Sequence, residues 1–167
     1  MSAGPGLNLA FFKDVLAPFG LAERSALVGD DGERVNGMTL REVLDLAERA
    51  DLLVNLGGHL ACKPILDRFR CKAYIDLDPG FTQICHAEGN SGSRLAGHDC
   101  YYTVGANVGT PGCPIPTAGI PWRSILPPIV LQEWPVVPRA AVGSFTTVAS
   151  WRGPFGPLQL GGKTLGL

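Results

Sequence analysis

The chain has 167 residues, 46% of them hydrophobic and 17% charged, with a formal net charge of −1. That length supports one hydrophobic core of useful size. The near-neutral charge gives no sign of electrostatic attraction to nucleic acid or an acidic membrane. No stretch reaches the roughly 18 apolar residues of a spanning helix. Met1–Asn8 lacks the basic start and apolar run of an export signal. Five cysteines, Cys62, Cys71, Cys85, Cys100 and Cys113, are loosely spaced. They read as reduced thiols of a cytoplasmic protein rather than a disulfide framework.

In chain order, Asn8 is placed to cap a helix whose apolar stripe is Leu9, Phe12, Val15 and Leu16, ended by Pro18 and Gly20. Ala26–Val28 reads as a short strand. After the turn Gly29-Asp30-Asp31-Gly32, a second extended piece follows near Arg34–Val35. Thr39-Leu40-Arg41-Glu42 is a capping box, in which hydroxyl and carboxylate satisfy each other's backbone amides. The helix it opens carries Leu40, Val43, Leu44 and Ala47 on one face and runs to about Ala50. Leu52–Leu56, apolar but for Asn55, is read as a strand buried on both faces, and it stops at Gly57-Gly58-His59. A short helical link over Pro64–Phe69 leads to the next strand, Ala73–Leu77. Strand, link and strand describe a parallel βαβ unit.

From Ala87 onward the pattern loosens. Glu88–Gly97 is a polar Gly/Ser-rich loop, and Cys100–Val104 a third strand that exits into Gly105-Ala106-Asn107-Val108-Gly109. Thr110–Pro138 holds eight prolines (111, 114, 116, 121, 127, 128, 135 and 138), which forbids continuous regular structure. One extended segment is expected within it, at Ile129–Leu131. Phe145–Ala149 reads as a last strand, leaving through Ser150-Trp151-Arg152-Gly153. Gly161-Gly162-Lys163-Thr164 resembles the end of a P-loop, but position 157 is Pro where that spacing needs Gly. A hairpin turn is the reading taken. The organisation expected is a regular βαβ part over 1–110, a Pro-rich excursion over 110–138, and a final strand and tail over 139–167. Opening on a helix and halting at Leu167, the chain reads as one truncated domain of a larger protein.

The richest chemistry lies in Lys72–Ile84, KAYIDLDPGFTQI. Asp78 before Pro79 is a strong helix start, because Asp accepts from first-turn amides and Pro needs no donor there. The corner therefore sets a helix's positive end at a strand's carboxyl edge, where α/β folds hold ligands. Asp76 and Asp78, two apart on extended chain, are expected to point the same way. Asp76 is the better ligand contact of the two and Asp78 the better cap. The glycine corners Gly57-Gly58 and Gly105/Gly109 allow close backbone approach to a ligand. Cys85, His86, His98, Cys100 and Cys113 lack the tight pairing of structural zinc ligands, so no metal is assigned. Trp122-Arg123 and Trp151-Arg152 set an aromatic beside a cation at loop exits, suited to stacking on a sugar or base.

The segments YIDLDPGFTQI (74–84), HDCYYTVGANVGTPGCPIPTAGIPWR (98–123), PPIVLQEWPV (127–136) and FTTVASWRGPFGP (145–157) together resemble bacterial glycosyltransferase-like proteins of two-domain GT-B architecture. Cys85 and Cys100 stand where that family leads one to expect an aromatic. The resemblance implies an α/β, incomplete Rossmann-like N-terminal domain with a mostly parallel sheet and a long Pro/Gly-rich excursion. It implies an acceptor-side domain, inactive alone, in an enzyme moving sugar from a nucleotide-sugar donor to an acceptor, with a C-terminal domain outside this chain. No cofactor, nucleic acid or membrane span is expected. On that reading Asp76, His59 and His86 are the catalytic candidates. Gly57, Gly58, Asp78, Gly80, Gly105, Asn107, Trp151 and Arg152 are the substrate-binding ones. Two rivals stand beside it: a non-catalytic ligand-binding or scaffold domain, and a metal- or thiol-dependent hydrolase built on the Cys/His set.

Overall fold

A computed structural model describes residues 5–29, 35–89, 93–136, 147 and 157–165. The fold is α/β. Strands β3 (Leu53–Leu56), β4 (Lys72–Asp76), β5 (Cys100–Thr103) and β6 (Arg123–Ser124) form a four-stranded parallel sheet in the order β3-β4-β5-β6. The chain divides into two compact units, Met1–Ile75 with Arg94–Cys100, and Asp76–Ser93 with Tyr101–Leu167.

In the first unit, α1 (Pro5–Leu16) begins ahead of Asn8, which therefore lies inside the helix and not at its cap. A single 3-10 turn, Ala17–Phe19, extends it and ends at Gly20, whose N–H donates to Ala17 O at 3.1 Å. β1 (Ala26–Val28) pairs antiparallel with β2 (Val35–Gly37). The capping box forms as its sequence dictates. Thr39 precedes α2 (Leu40–Arg49), Glu42 N donates to Thr39 Oγ1, and Thr39 N donates to Glu42 Oε2 at 2.8 Å. The helix buries Ala47 against Cys62 and Ile65, the latter on α3 (Lys63–Leu66), with Leu40, Val43, Leu44, Leu60 and Phe69 closing the cluster. Ile65, the large side chain fully buried in this cluster, contributes roughly 1.5–3 kcal/mol.

β3 departs from its expected burial. Asn55 is buried, yet Val54 is 54% and Leu56 49% exposed. A continuous apolar run is covered on both faces only when elements pack on both faces. Among the described residues β3 ends the sheet order, and one of its faces stays open. The covered face is pinned by Asn55. Its Oδ1 accepts from Leu60 N at 3.1 Å, and its Nδ2 donates to Leu60 O at 3.0 Å and to His98 Nε2 at 3.0 Å. With Nε2 accepting, His98 carries its proton on Nδ1 and donates to Leu95 O at 3.1 Å. Tyr74 meets the same ring edge-on, the centroids 5.2 Å apart.

The second unit starts at the last residue of β4. It holds α4 (Phe81–Ala87), β5 from Tyr101 onward, β6, and a hairpin of β7 (Leu158–Leu160) and β8 (Lys163–Leu165). The hairpin closes over Gly161-Gly162 with Leu160 opposite Lys163, as the turn reading expects, and β7 packs on α4. β6 is the one strand that the Pro-rich stretch hid from patterning. Tyr102 pairs with Arg123 and Thr103 with Ser124, and Ile125 N donates to Thr103 O at 2.9 Å. At the extended segment expected over Ile129–Leu131, Val130 is extended but no strand forms, and a 3-10 turn takes Leu131–Glu133. Pro127 and Pro128 remove ladder donors just ahead of it. The strand expected over 145–149 lies outside the described residues, except Thr147, which is in neither helix nor strand.

Candidate functional site

Asp76 ends β4 with no exposed surface and accepts four hydrogen bonds. Thr82 Oγ1 donates to Oδ1 at 2.7 Å and Asp78 N at 3.0 Å. Gln83 Nε2 and Thr103 Oγ1 each donate to Oδ2 at 2.7 Å. A carboxylate offers about four lone-pair directions, so all of them are used. None remains to accept a proton from a bound molecule. Its backbone serves the same corner, Asp76 O accepting from Val104 N at 3.1 Å. Asp76 therefore ties together the end of β4, the first turn of α4 and the exit of β5.

That tie also turns the chain. Because Asp78 N folds back onto Asp76 Oδ1, the segment is not extended past Asp76 and the two carboxylates do not run side by side. Asp76 points into the protein, while Asp78 is exposed. Nor does Asp78 cap α4. The helix begins at Phe81 with Gly80 at its N-cap, and Gln83 Oε1 accepts from Gly80 N at 2.6 Å. Asp78 contributes only its backbone oxygen, which accepts from Thr82 N at 3.2 Å. An Asp-Pro start signal lost to an Asx turn because a buried carboxylate two residues earlier competed for the same amide. With its first amides engaged and only seven residues long, α4 presents no anion site at its start.

The β5 exit builds the other half of the corner. Gly105 N donates to Thr103 Oγ1 at 3.0 Å, so Thr103 links the loop to Asp76. A Cβ at Gly105 would lie 2.7 Å from Pro79 Cβ and 2.8 Å from Val108, so only glycine lets this loop lie against Pro79. Beyond it, Asn107, Thr110, Pro111, Gly112, Cys113 and Pro114 line a depression of about 380 Å³. Asn107 is exposed, and Thr110 Oγ1 donates to Asn107 O at 2.8 Å. The exposed polar groups of the two loops are thus the Asp78 carboxylate, the Asn107 amide and Thr110. One carboxylate with neutral hydrogen-bonding groups fits a hydroxyl-rich ligand better than a phosphate.

The remaining candidates stand apart from this corner. His59 is exposed beside Gly57-Gly58 in the first unit. His86, half-buried on α4, brings Nδ1 to 3.5 Å from Ser93 Oγ. His98 is engaged by Asn55. Cys85 is buried, and that burial, with the nearby Asp78 charge, pushes its thiol up and away from the reactive thiolate. Among the described residues, no three His, Cys, Asp or Glu side chains converge as metal ligands. Trp122 stacks edge-on against Tyr101, centroids 5.8 Å apart, and the Arg123 guanidinium lies 6.0 Å over the Tyr102 ring. Trp151 and Arg152 lie outside the described residues. Thr82, Gln83 and Thr103, which hold Asp76, carried no motif; a polar residue closing an apolar strand was their only signal.

Comparison of the chain with protein-family models, curated proteins and solved structures returns no match.

Proposed function

We propose that this chain is the acceptor-side, Rossmann-like part of a GT-B-type glycosyltransferase, and that the corner between Leu77–Gly80 and Gly105–Pro114 receives the acceptor's hydroxyl groups. The observation that carries the reading is the exchange of roles between the two aspartates. Asp76 is hidden and saturated, so it positions the loops. Asp78 is the carboxylate left open to a ligand. In the intact enzyme an acceptor hydroxyl oxygen attacks the anomeric carbon of the donor sugar. The bond from that carbon to the diphosphate oxygen breaks, and the nucleoside diphosphate leaves with the electron pair. The hydroxyl proton passes to Asp78, the general base on this side. Asn107 and Thr110 orient the acceptor, and the donor is held by the other domain. The sequence resemblance supports the reaction class, and the corner's single carboxylate with neutral hydrogen-bonding groups supports the acceptor over the donor.

Saturation-transfer NMR on the purified chain tests this with two ligand sets, simple methyl glycosides and nucleotide sugars. Saturation of at least one glycoside, displaced by excess of the same sugar, is expected. Saturation confined to the nucleotide moiety of the nucleotide sugars would overturn the acceptor-side assignment. Saturation of neither set would contradict the assignment of this corner as a sugar-acceptor site.

A further inference from the structure

We infer that the turn after β3 binds a phosphate-type oxyanion through Arg94 and His59. β3 ends on Gly57 and Gly58, which have φ of 58° and 67°. Two left-handed residues in succession reverse the chain abruptly. Gly57 N donates to Ile75 O at 2.9 Å and His59 N to Leu56 O at 3.1 Å, so both of these turn amides are engaged within the fold.

Two side chains are set against it. A Cβ at Gly58 would lie 2.8 Å from Arg94 Cβ, 3.1 Å from the Tyr74 ring and 3.2 Å from Arg94 O. The Arg94 main chain is pressed onto the turn, and only glycine admits it so closely. A Cβ at Gly57 would meet the His59 imidazole at 3.3 Å. The imidazole thus lies along one glycine, and the Arg94 side chain leaves from against the next. Both residues are exposed, and among the described residues neither side chain has a hydrogen bond, ion pair or ring contact.

Arg94 also holds an unfavourable backbone. Its φ is 49°, in the left-handed region that is strained for any residue but glycine. Glycine is the relaxed residue there, and the neighbouring turn shows that this chain uses glycine freely. Strain of this kind persists where a side chain is required at that position. An arginine whose Cβ rests on the turn carries a planar fork of donors matched to the oxygens of phosphate, and the imidazole lying along the adjacent glycine adds a further donor. The site goes beyond the acceptor reading and does not depend on it. It lies wholly in the first unit, so its failure leaves the Asp78 corner untouched.

The test is a ¹H–¹⁵N titration of the full chain with inorganic phosphate, and with chloride at matched ionic strength. Phosphate is expected to shift the amides of Gly57, Gly58, His59 and Arg94 saturably, and chloride to leave them in place. Arg94→Gly, which suits the backbone, is expected to keep or raise the thermal midpoint while weakening phosphate binding about tenfold or more. His59→Ala weakens it less. Equal shifts with chloride, absence of saturation, or unchanged phosphate affinity in Arg94→Gly would overturn the assignment.

Discussion

At the scale of single residues, two aspartates separated by one leucine do opposite work. Asp76 is buried with four donors aimed at it, so an amide in its place sets an N–H₂ against N–H and O–H groups. Asp76→Asn is expected to lose ~2–4 kcal/mol of stability, as breaking a buried hydrogen-bond network does. Asp78→Asn removes an exposed charge and is expected to stay within ~0.5 kcal/mol of the parent. Urea unfolding of the two variants reads the difference directly, and equal losses would contradict the division of roles. The sequence announces both carboxylates and the strand-to-loop corner, because those are local features. It does not reveal which aspartate is hidden. One of the four donors to Asp76, Thr103 Oγ1, comes from another strand, and nothing local to Asp-Pro reports that partner.

At the scale of elements, legibility follows how local each determinant is. α2 is readable because Thr39 and Glu42 bond within a single turn. Its energetics are equally local. Glu42 is exposed and its carboxyl is held below the ordinary carboxylate range, first by the Thr39 hydroxyl and then by the Thr39 amide. A carboxyl lowered in the folded state stabilises that state above the unfolded group's value of about 4.3, and this contribution fades as pH falls through the lower folded value. Thr39→Ala is expected to cost ~1 kcal/mol at neutral pH. Glu42→Gln is expected to be less stable than the parent at pH 7, with the gap closing as pH falls from neutral into acid. Thermal midpoints measured across that interval check both; a gap that does not narrow in acid refutes the capping role of Glu42. β3 is less readable, since Val54 and Leu56 carry the pattern of a doubly buried strand while one face stays open. Burial belongs to the neighbours a strand acquires, and its own sequence records only its tolerance for them. β6 was hidden for the opposite reason. Two residues between prolines carry too little periodicity to register, and Arg123 and Ser124 become a strand only because β5 offers them a partner.

At the scale of the whole molecule, the α/β class and the parallel pairing of β3 with β4 were both legible from a helix, an apolar run, a short link and a second apolar run. No helix among the described residues is long and apolar enough to cross a membrane. The two compact units carry separate chemistry. The first holds the glycine turn with Arg94 and His59, and the second holds the Asp76 network with Asp78 exposed beside it. A buried carboxylate that organises loops and an open one that meets the ligand is the arrangement expected of a binding wall, in which the positioning group must not itself be consumed by the ligand. On the proposed function, Leu77–Gly80 and Gly105–Pro114 form that wall and Asp78 is its contact. Amide-shift mapping with the methyl glycoside that gives the strongest saturation transfer tests it most directly. Saturable shifts at Leu77, Asp78, Gly80, Gly105, Asn107 and Thr110, lost or weakened severalfold in Asp78→Asn, are the predicted result. Shifts confined to other segments, or undiminished in Asp78→Asn, would contradict it.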